Sequence, residues 1–370
     1  MNILVITPSY PDRFKVRYPF VKQLVDEFSR QGHCCSVIAP YSISKNFRLY
    51  NTVETDGNVT VYRPNYLSFS NLKIGQFSIS DYFRRKAINR ATNMLKQLPD
   101  IVYCHFWECA IEGYSYAKKH NIPLFVASGE SSISAFFNIK TFPRELAEYV
   151  SGVICVSTKN KEESVSNGLA KENNCIVLPN AVNNKLFRRI DRLECRQKLG
   201  LPRNAFIVSF VGAFIERKGA NRVSAAISRL KGLPVYSIFI GKGKVTPTCD
   251  NIAFIGALCH EQIPEYLCAS DLFVLPTLKE GCCNAIVEAL SCGLPIISSN
   301  LPFNWDVLDQ TNSIMIDPNN IDELAEAIQT LRDDPVKREL LSAGALEKAK
   351  ALTIEKRAKV IIEFIEGKMN

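Results

Sequence analysis

The sequence predicts an α/β protein built from two doubly wound parallel-sheet domains in tandem, on the basis of three observations. Short apolar runs alternate with amphipathic helical patterns along the chain, which indicates buried parallel strands covered by helices on both faces. The alternation stops once, in the segment PNAVNNKLFRRIDR, and then begins again. The chain has 370 residues, more than one typical hydrophobic core accommodates.

The first series of strands and helices occupies residues 1–180 and is the predicted N-terminal Rossmann-like domain. NILVIT opens it as a strand, and the helix that follows carries Val21, Leu24 and Phe28 on one face, with Gly32 at the expected C-cap. The further predicted strands are CSVIAP, DIVYC, PLFVAS, GVICVS and CIVLPN, and helical segments such as CAIEGYSYAKKH separate most of them.

The second series occupies residues 190–352, after a linker placed near Pro179 to Arg189. Its predicted strands are FIVSFVG, VYSIFIG, NIAFIG, DLFVLPT, PIISSN and SIMID. Residues 353–370 form an amphipathic helix that we expect to return to the N-terminal domain. Two doubly wound domains in tandem predict an inter-domain cleft, because such sheets bind ligands at the carboxyl ends of their strands.

Composition excludes several classes of protein. Apolar residues make up 46% and charged residues 22%, as in ordinary globular proteins. No apolar run approaches the length of a membrane span, and the first strand lacks the basic flank and small-residue cleavage site of a signal peptide. The 13 cysteines and four histidines are scattered and include no CxxC pair, which favours reduced thiols over disulfides or zinc. We therefore expect a cytoplasmic protein.

The positive charge of the chain is concentrated in its first half. Residues 1–190 contain 24 Lys and Arg against 15 Asp and Glu, and the remainder is close to neutral. Such asymmetry indicates an anionic partner for the first domain: a phosphate, a nucleic acid or a charged membrane surface.

The segment KEGCCNAIVEALSCGLP carries two carboxylates around a predicted helix start. Glu280 lies in the loop after the strand LFVLPT, Asn284 is the expected N-cap, and Glu288 lies about one turn inside the helix. The backbone N–H groups of such a helix start favour an anion. A nucleotide-sugar fits this layout, with its diphosphate at the helix start, its ribose at Glu288 and its sugar at Glu280.

These residues are part of an ordered set that resembles the retaining glycosyltransferases of family 4, which have the two-domain GT-B fold and include bacterial surface-polysaccharide enzymes. EGCCNAIVEALSCGLPIISS resembles the donor-binding signature of that family, and PNAVNNKLF its linker. FVGAFIERKGANRVSAAI, IGKGK and NIAFIGALCHEQIPEYLCASDLFVLPT resemble the segments between them. The resemblance covers nearly the whole chain.

The resemblance implies a donor site and a reaction. Arg217 and Lys218 would grip the diphosphate and act in catalysis with Glu280, which would position the sugar without forming a covalent intermediate. Fixed cations stabilise a departing phosphate without a metal, and the chain has no Asp-x-Asp pair. No cofactor is expected; the nucleotide-sugar is a substrate, and nucleic acid is not an expected partner. The implied donor-binding residues are Gly212, Arg217, Lys218, Gly241, Ile255, Leu258, Glu280, Gly281, Cys282, Cys283, Asn284, Ala285 and Glu288.

Two segments depart from the family pattern. Where many relatives have histidine before glycine, this chain has Ser128, Gly129 and Glu130; either Ser128 or Glu130 is a candidate replacement in catalysis, and a capping role for Glu130 is the alternative. The first loop has no glycine until Gly32, which argues against a dinucleotide site. The candidate acceptor-binding residues are Tyr10, Pro11, Arg13, Phe20 and His105. A structural histidine is the alternative for His105.

A basic segment in the first domain, DYFRRKAINRATNMLKQ, predicts an amphipathic helix. Its cations are Arg84, Arg85, Lys86, Arg90 and Lys96. One interpretation is docking on anionic lipid at the cytoplasmic membrane face, beside a lipid-linked acceptor. The other is a surface helix whose apolar side faces its own core.

The predicted function is transfer of a sugar from a nucleotide-sugar to a glycan or lipid-linked saccharide in cell-surface polysaccharide or glycolipid synthesis. Two alternatives stay open. A nucleotide-sugar epimerase has the same architecture but needs acid and base groups in the cleft, of which this sequence offers few. A non-catalytic nucleotide-sugar-binding protein at the membrane is the other.

Overall fold

The computed structural model describes residues 1–12, 17–46, 49, 52–69, 72–74, 77–134, 144–230, 232 and 234–369. The chain divides into two compact units. Unit 1 comprises residues 1–156, 160–178 and 357–370, and unit 2 comprises residues 157–159 and 179–356. None of the described helices is both long enough and apolar enough to cross a bilayer.

Unit 1 is built on an eight-stranded sheet. Its strands run in the order β12-β11-β10-β9-β1-β2-β5-β4, and all neighbours are parallel except β4 and β5. These strands are β1 (Asn2–Ile6), β2 (Cys34–Ile38), β4 (Thr52–Asp56), β5 (Val59–Arg63), β9 (Ile101–His105), β10 (Leu124–Ser128), β11 (Val150–Cys155) and β12 (Cys175–Val177). Two small pairs lie outside it: β3 (Tyr41–Ser42) with β6 (Asn65–Tyr66), and β7 (Lys73–Ile74) with β8 (Phe77–Ser78).

The helices of unit 1 follow from the apolar faces that the sequence presents. They are α1 (Pro19–Arg30), α2 (Ile43–Asn46), α3 (Ile79–Thr92), α4 (Phe106–His120), α5 (Arg144–Tyr149) and most of α6 (Thr158–Ser166). Val21, Leu24 and Phe28 of α1 are buried, as their spacing predicts. Residues 357–370, most of the last helix, belong to this unit, where the rings of Phe364 and Phe125 lie 6.4 Å apart.

Unit 2 is built on a six-stranded, wholly parallel sheet. Its strands are β13 (Phe206–Val211), β14 (Val235–Ile240), β15 (Ile252–Gly256), β16 (Leu272–Leu275), β17 (Ile296–Ser299) and β18 (Ser313–Ile316). The order β15-β14-β13-β16-β17-β18 reverses direction at β13 and β16, which is the doubly wound arrangement with a switch point between the two central strands.

Helices connect the strands of unit 2, and others precede its first strand or follow its last strand in the chain. They are α7 (Arg192–Leu199), α8 (Ala220–Arg229), α9 (Ile263–Cys268), α10 (Asn284–Ser291), α11 (Ile321–Asp333), α12 (Pro335–Ala349) and the first residues of α13 (Ile354–Met369). Strands β13, β14 and β16 are almost entirely buried, which explains their continuous apolar runs. The predicted fold class, two Rossmann-like parallel-sheet domains, is confirmed.

Candidate functional site: an arginine–lysine–glutamate cluster beside a helix start

Glu280 is the centre of a charged cluster in unit 2, on the loop between β16 and α10. One of its carboxylate oxygens, Oε1, lies 2.5 Å from Arg217 Nη1 and 2.8 Å from Lys218 Nζ. The hydroxyl of Thr277 donates to the same oxygen at 3.0 Å. Arg217, Lys218 and Glu280, which the family resemblance implies for catalysis, are therefore in contact. Two cations face one carboxylate.

The loop that carries the two cations is fixed to the loop that carries Glu280. Arg217 also donates from Nη1 to the carbonyl of Lys279, and the carbonyl of Arg217 accepts from the backbone N–H of Leu278 at 2.8 Å. Arg222 Nη2 donates to the Pro276 carbonyl at 2.8 Å. These bonds join the end of β13 to the end of β16, the two strands at the switch point.

Lys218 is held in the cluster as a cation. Its side chain is 14% exposed, and its ammonium lies 3.5 Å from the Cys283 sulfur. Burial acts against the charge, but the Cys283 sulfur and the Glu280 carboxylate raise the pKa of Lys218 above its ordinary value. Burial raises the pKa of the Cys283 thiol. Lys218 is thus a preorganised positive charge.

Helix α10 begins next to this cluster, but its N-cap is not the predicted one. The cap is Cys283, and Asn284 is the first helical residue. The Asn284 side chain instead accepts a 2.7 Å hydrogen bond from Asn180, whose amide also donates to the Cys282 carbonyl at 2.9 Å. No side chain caps the helix, and the prediction failed because Asn180, distant in sequence, engages the amide that would have capped it.

Glu288 lies in the second turn of α10 and has a partner that the sequence analysis did not name. Its Oε1 lies 2.9 Å from His260 Nε2, and its side chain is 9% exposed. Burial would lower the pKa of His260, but the hydrogen bond and charge of Glu288 raise it above the ordinary value.

The glycine-marked loops of unit 2 lie close to one another. Gly241 donates to the Gly256 carbonyl at 2.7 Å, and Gly212 donates to the Ile240 carbonyl at 2.9 Å. A Cβ on Gly241 would lie 1.9 Å from the Gly212 carbonyl oxygen, so only glycine fits there. Ile255 is 42% exposed, Leu258 is half-buried, and Gly281 and Cys282 are buried.

Ser128 and Glu130 lie together in unit 1, bonded to each other. Ser128 donates to Glu130 Oε2 at 3.0 Å, and the backbone N–H of Trp107 donates to Glu130 Oε1 at 2.7 Å. Ser128 is fully buried and Glu130 is 7% exposed. Burial raises the pKa of Glu130. Because Trp107 is in the first turn of α4, Glu130 caps that helix, the alternative that the sequence left open.

Among the candidate acceptor residues, Tyr10 and Pro11 lie in the loop after β1, Phe20 lies in the first turn of α1, and His105 is the last residue of β9. His105 is buried, packs near Phe20 with ring centroids 6.3 Å apart, and has no hydrogen-bond partner for Nε2 in the part of the chain that the structure describes. Burial lowers the pKa of His105 to about 3. Arg13 lies outside the described residues.

Tyr10 and Pro11 are held by a third residue, Arg63 of β5. Arg63 donates to the Pro11 carbonyl at 2.7 Å, and its guanidinium carbon lies 5.9 Å from the Tyr10 ring centre. Tyr10 is only 5% exposed. Its burial raises the pKa of the phenol. The Tyr10 ring is therefore part of the core of unit 1, and its contact with an acceptor stays a prediction.

The basic helix packs its apolar side on the core of its own unit, which is one of the two interpretations that the sequence left open, and one of its cations is engaged by acids. Arg84 is 14% exposed and forms ion pairs with Glu108 and Glu112 of α4, so it is not available to lipid. Ala87, Ile88 and Ala91 pack in the core of unit 1. The exposed cations are Arg85, Lys86, Arg90 and Lys96, of which Lys96 lies beyond the end of α3.

A family model and sequence relatives match this chain. The model for group 1 glycosyl transferases matches residues 191–348, which include the whole charged cluster. The putative teichuronic acid biosynthesis glycosyltransferase TuaC of Bacillus subtilis (strain 168) is 27% identical over 89% of this chain and 88% of its own length. The chain is a glycosyltransferase. The predicted resemblance to GT-B enzymes of bacterial surface-polysaccharide type is confirmed.

A second sequence relative and two solved structures of the same fold are also similar to this chain. An Escherichia coli UDP-Gal:alpha-D-GlcNAc-diphosphoundecaprenol alpha-1,3-galactosyltransferase is 28% identical over 65% of this chain and 68% of its own length. Among solved structures, the sucrose-phosphate synthase of Thermosynechococcus elongatus has a TM-score of 0.82 at 17% identity over 99% of both chains. Anabaena HepE, in complex with UDP and glucose, has a TM-score of 0.74 at 17% identity over 99% of this chain and 100% of its own.

Four residues of the candidate site were not predicted from the sequence. They are Asn180, Arg222, His260 and Thr277. His260 and Asn180 lie inside segments that carry the family resemblance, but their partners are 28 and 104 positions away. Polar side chains in those segments were the available signal, and nothing in their spacing identifies the partner.

Proposed function

We propose that this glycosyltransferase moves a sugar from a nucleotide-sugar to a glycan or lipid-linked saccharide in the synthesis of a cell-surface polysaccharide or glycolipid. The observation that carries the proposal is the contact of Arg217 and Lys218 with Glu280 beside the start of α10. Two cations and one carboxylate leave one net positive charge at a helix end that favours anions. A diphosphate matches this charge.

The residues have separate roles in the proposed reaction. As the bond between the sugar and the diphosphate breaks, negative charge grows on the phosphate, and Arg217 and Lys218 stabilise it. Glu280 keeps both cations in place through Oε1 and positions the sugar. Glu288 receives the ribose hydroxyls, and the backbone of residues 255–258 receives the base. The cations do this work without a metal ion, and the anomeric configuration of the sugar is retained.

The names of the relatives support the acceptor class. One of them is a teichuronic acid enzyme and another acts on a diphosphoundecaprenol-linked sugar. Exposed groups of unit 1 support a lipid-linked acceptor: Leu67, Phe69, Leu72 and Tyr82 are 41–52% exposed, and the ammonium of Lys86 lies 4.6 Å from the Tyr82 ring centre. Apolar groups beside exposed cations suit an anionic membrane surface.

The donor proposal is tested by thermal unfolding with a panel of nucleotide-sugars. A donor at 100 times its dissociation constant stabilises the protein by about 2.7 kcal/mol, and we expect one base to be preferred. If no nucleotide-sugar raises the unfolding temperature, the donor site is wrong.

The reaction is tested by measuring nucleoside diphosphate release with and without a saccharide acceptor. Transfer requires the acceptor, whereas a nucleotide-sugar epimerase changes its substrate without one. We expect EDTA to leave the rate unchanged, and NMR of the product to show the anomeric configuration of the donor. Loss of activity on chelation, restored by a divalent cation, contradicts the metal-free mechanism.

A further inference from the structure

We propose that His260 is a positioning residue that gives the donor site its preference for an intact ribose. His260 orients the Glu288 carboxylate and connects that carboxylate to the loop that precedes His260. This inference rests on the proposed function, because it assumes that Glu288 receives the ribose.

The pair is nearly buried and is held on both sides. His260 Nε2 lies 2.9 Å from Glu288 Oε1, with side-chain exposures of 17% and 9%. The imidazole lies against the ring of Phe187, with centroids 4.9 Å apart and an interplanar angle of 56°. Phe187 is 1% exposed, so it limits the movement of the imidazole.

The backbone of His260 is also fixed. It begins a 3-10 turn, His260–Gln262, in which the Gln262 side chain accepts from the Cys259 N–H at 3.1 Å and the Gln262 N–H donates to the Cys259 carbonyl at 3.0 Å. The four residues before this turn include Leu258 of the proposed base-binding loop. His260 therefore connects the base-binding loop to the carboxylate that would bind the ribose.

The Glu288 carboxylate keeps enough hydrogen-bond acceptor sites for both ribose hydroxyls while it is bonded to His260. A carboxylate has about four lone-pair sites, and each ribose hydroxyl needs one of them. A hydrogen bond from His260 to one oxygen uses a single site and fixes the plane of the carboxylate. Without this bond the Glu288 side chain has more rotamers to lose on binding, and the two hydroxyls would be bound less tightly.

Two variants separate the hydrogen bond from the packing. His260→Phe keeps a ring against Phe187 and removes the donor. His260→Gln removes the ring and keeps an N–H that can reach Glu288. We would titrate each protein calorimetrically with uridine, guanosine and adenosine diphosphate, and then with the 2′,3′-dideoxy form of whichever binds most tightly.

We expect His260→Phe to lower affinity for the ribonucleoside diphosphate roughly tenfold, as for loss of a hydrogen bond to a charged group, and to change dideoxy affinity less than about twofold. His260→Gln should recover most of the preference. Parallel weakening of both ligands, or an unchanged preference in His260→Phe, overturns the proposal.

Failure of the underlying function gives a different result. If the wild-type protein binds none of the three diphosphates, the donor site itself is wrong. If it binds one of them and its dideoxy form equally, Glu288 does not bind the ribose, and the role of His260 fails with it. If the wild type discriminates and His260→Phe discriminates equally well, only the role of His260 is refuted.

Discussion

The structure of the candidate site and its proposed chemistry both depend on Glu280. Three donors, from Arg217, Lys218 and Thr277, converge on its Oε1. Without this carboxylate two cations would face each other near a helix start, which is also electropositive. The carboxylate thus stabilises the site when no ligand is bound, and the remaining positive charge suits the diphosphate of the proposed donor.

Glu280→Gln should therefore separate binding from transfer. We expect kcat to fall by about 10²–10³, as for loss of one preorganised electrostatic group. We expect affinity for the nucleoside diphosphate to stay equal or to increase, because the positive charge of Arg217 and Lys218 is no longer compensated. Initial rates and calorimetric titration of the same preparation measure both quantities.

Lys279→Ala is the matched control for that change. The Lys279 side chain is exposed, and the bond from Arg217 is accepted by its backbone carbonyl, which alanine retains, so kcat should stay within about twofold of wild type. Equal losses in the two variants would mean that Glu280 acts only by holding the loop.

His105 should make unit 1 sensitive to acid. Its pKa is about 3 in the folded protein because of burial, against about 6.5 in an unfolded chain. Between these values the unfolded state binds the proton and the folded state does not, so stability falls as pH falls. From pH 7.5 to pH 5 this residue alone should cost about 2 kcal/mol.

His105→Phe tests the predicted direction of this pH dependence, since phenylalanine fills the same aromatic surroundings and cannot be protonated. The free energy of unfolding, measured with denaturant at pH 7.5 and pH 5, should fall by about 2 kcal/mol less in the variant than in wild type. If the wild type loses no more stability than the variant, the imidazole of His105 is in contact with water in the folded protein, and the prediction is wrong.

At the scale of elements, the contact between α12 and the turn before β18 depends on a glycine. Gly344 lies inside α12, where alanine is normally better by about 1 kcal/mol. A Cβ at this position would lie 1.9 Å from the Thr311 carbonyl oxygen. The Thr311 carbonyl belongs to the backbone and cannot rotate away from a Cβ, so the close approach outweighs the helical preference.

Gly344→Ala should destabilise unit 2 by roughly 2 kcal/mol, the usual scale of overpacking. The matched control is Gly367→Ala in α13, where a Cβ meets nothing within 4 Å and no loss is expected. Calorimetric melting of both proteins gives the comparison. Equal unfolding temperatures would show that α12 can move away from Thr311 without cost.

Elements were predictable from the sequence to the extent that local pattern determines them. The strands before Arg217 and before Glu280 form where the apolar runs place them, because a buried parallel strand needs apolar residues on both faces. The N-cap of α10 and the charge on α3 were not predictable. Asn284 is engaged by Asn180, and Arg84 by acids of α4, and a local pattern does not contain such partners.

At the scale of the whole molecule, the charged side chains are paired differently in the two units. In unit 2 the site cations Arg217 and Lys218 share one carboxylate, Glu280, within hydrogen-bonding distance, and residues 191–370 are nearly neutral. In unit 1 Arg84 is neutralised by Glu108 and Glu112, but Arg85, Lys86 and Lys96 are exposed. The surface that remains for an anionic partner is therefore smaller than the sequence predicts, and it lies beside exposed apolar groups.

Vesicle binding tests whether attraction to an anionic membrane depends on the position of the exposed cations or only on the net charge. Replacing Arg85, Lys86 and Lys96 by Gln removes three exposed cations, each worth about 1 kcal/mol at an anionic membrane. Binding to vesicles rich in phosphatidylserine, measured by co-sedimentation, should fall about a hundredfold. Replacing Lys119, Lys171 and Lys359, which are exposed elsewhere on unit 1, changes the net charge equally and should have much less effect. Equal losses in the two triple variants would make the attraction a property of total charge and would contradict a docking surface at α3.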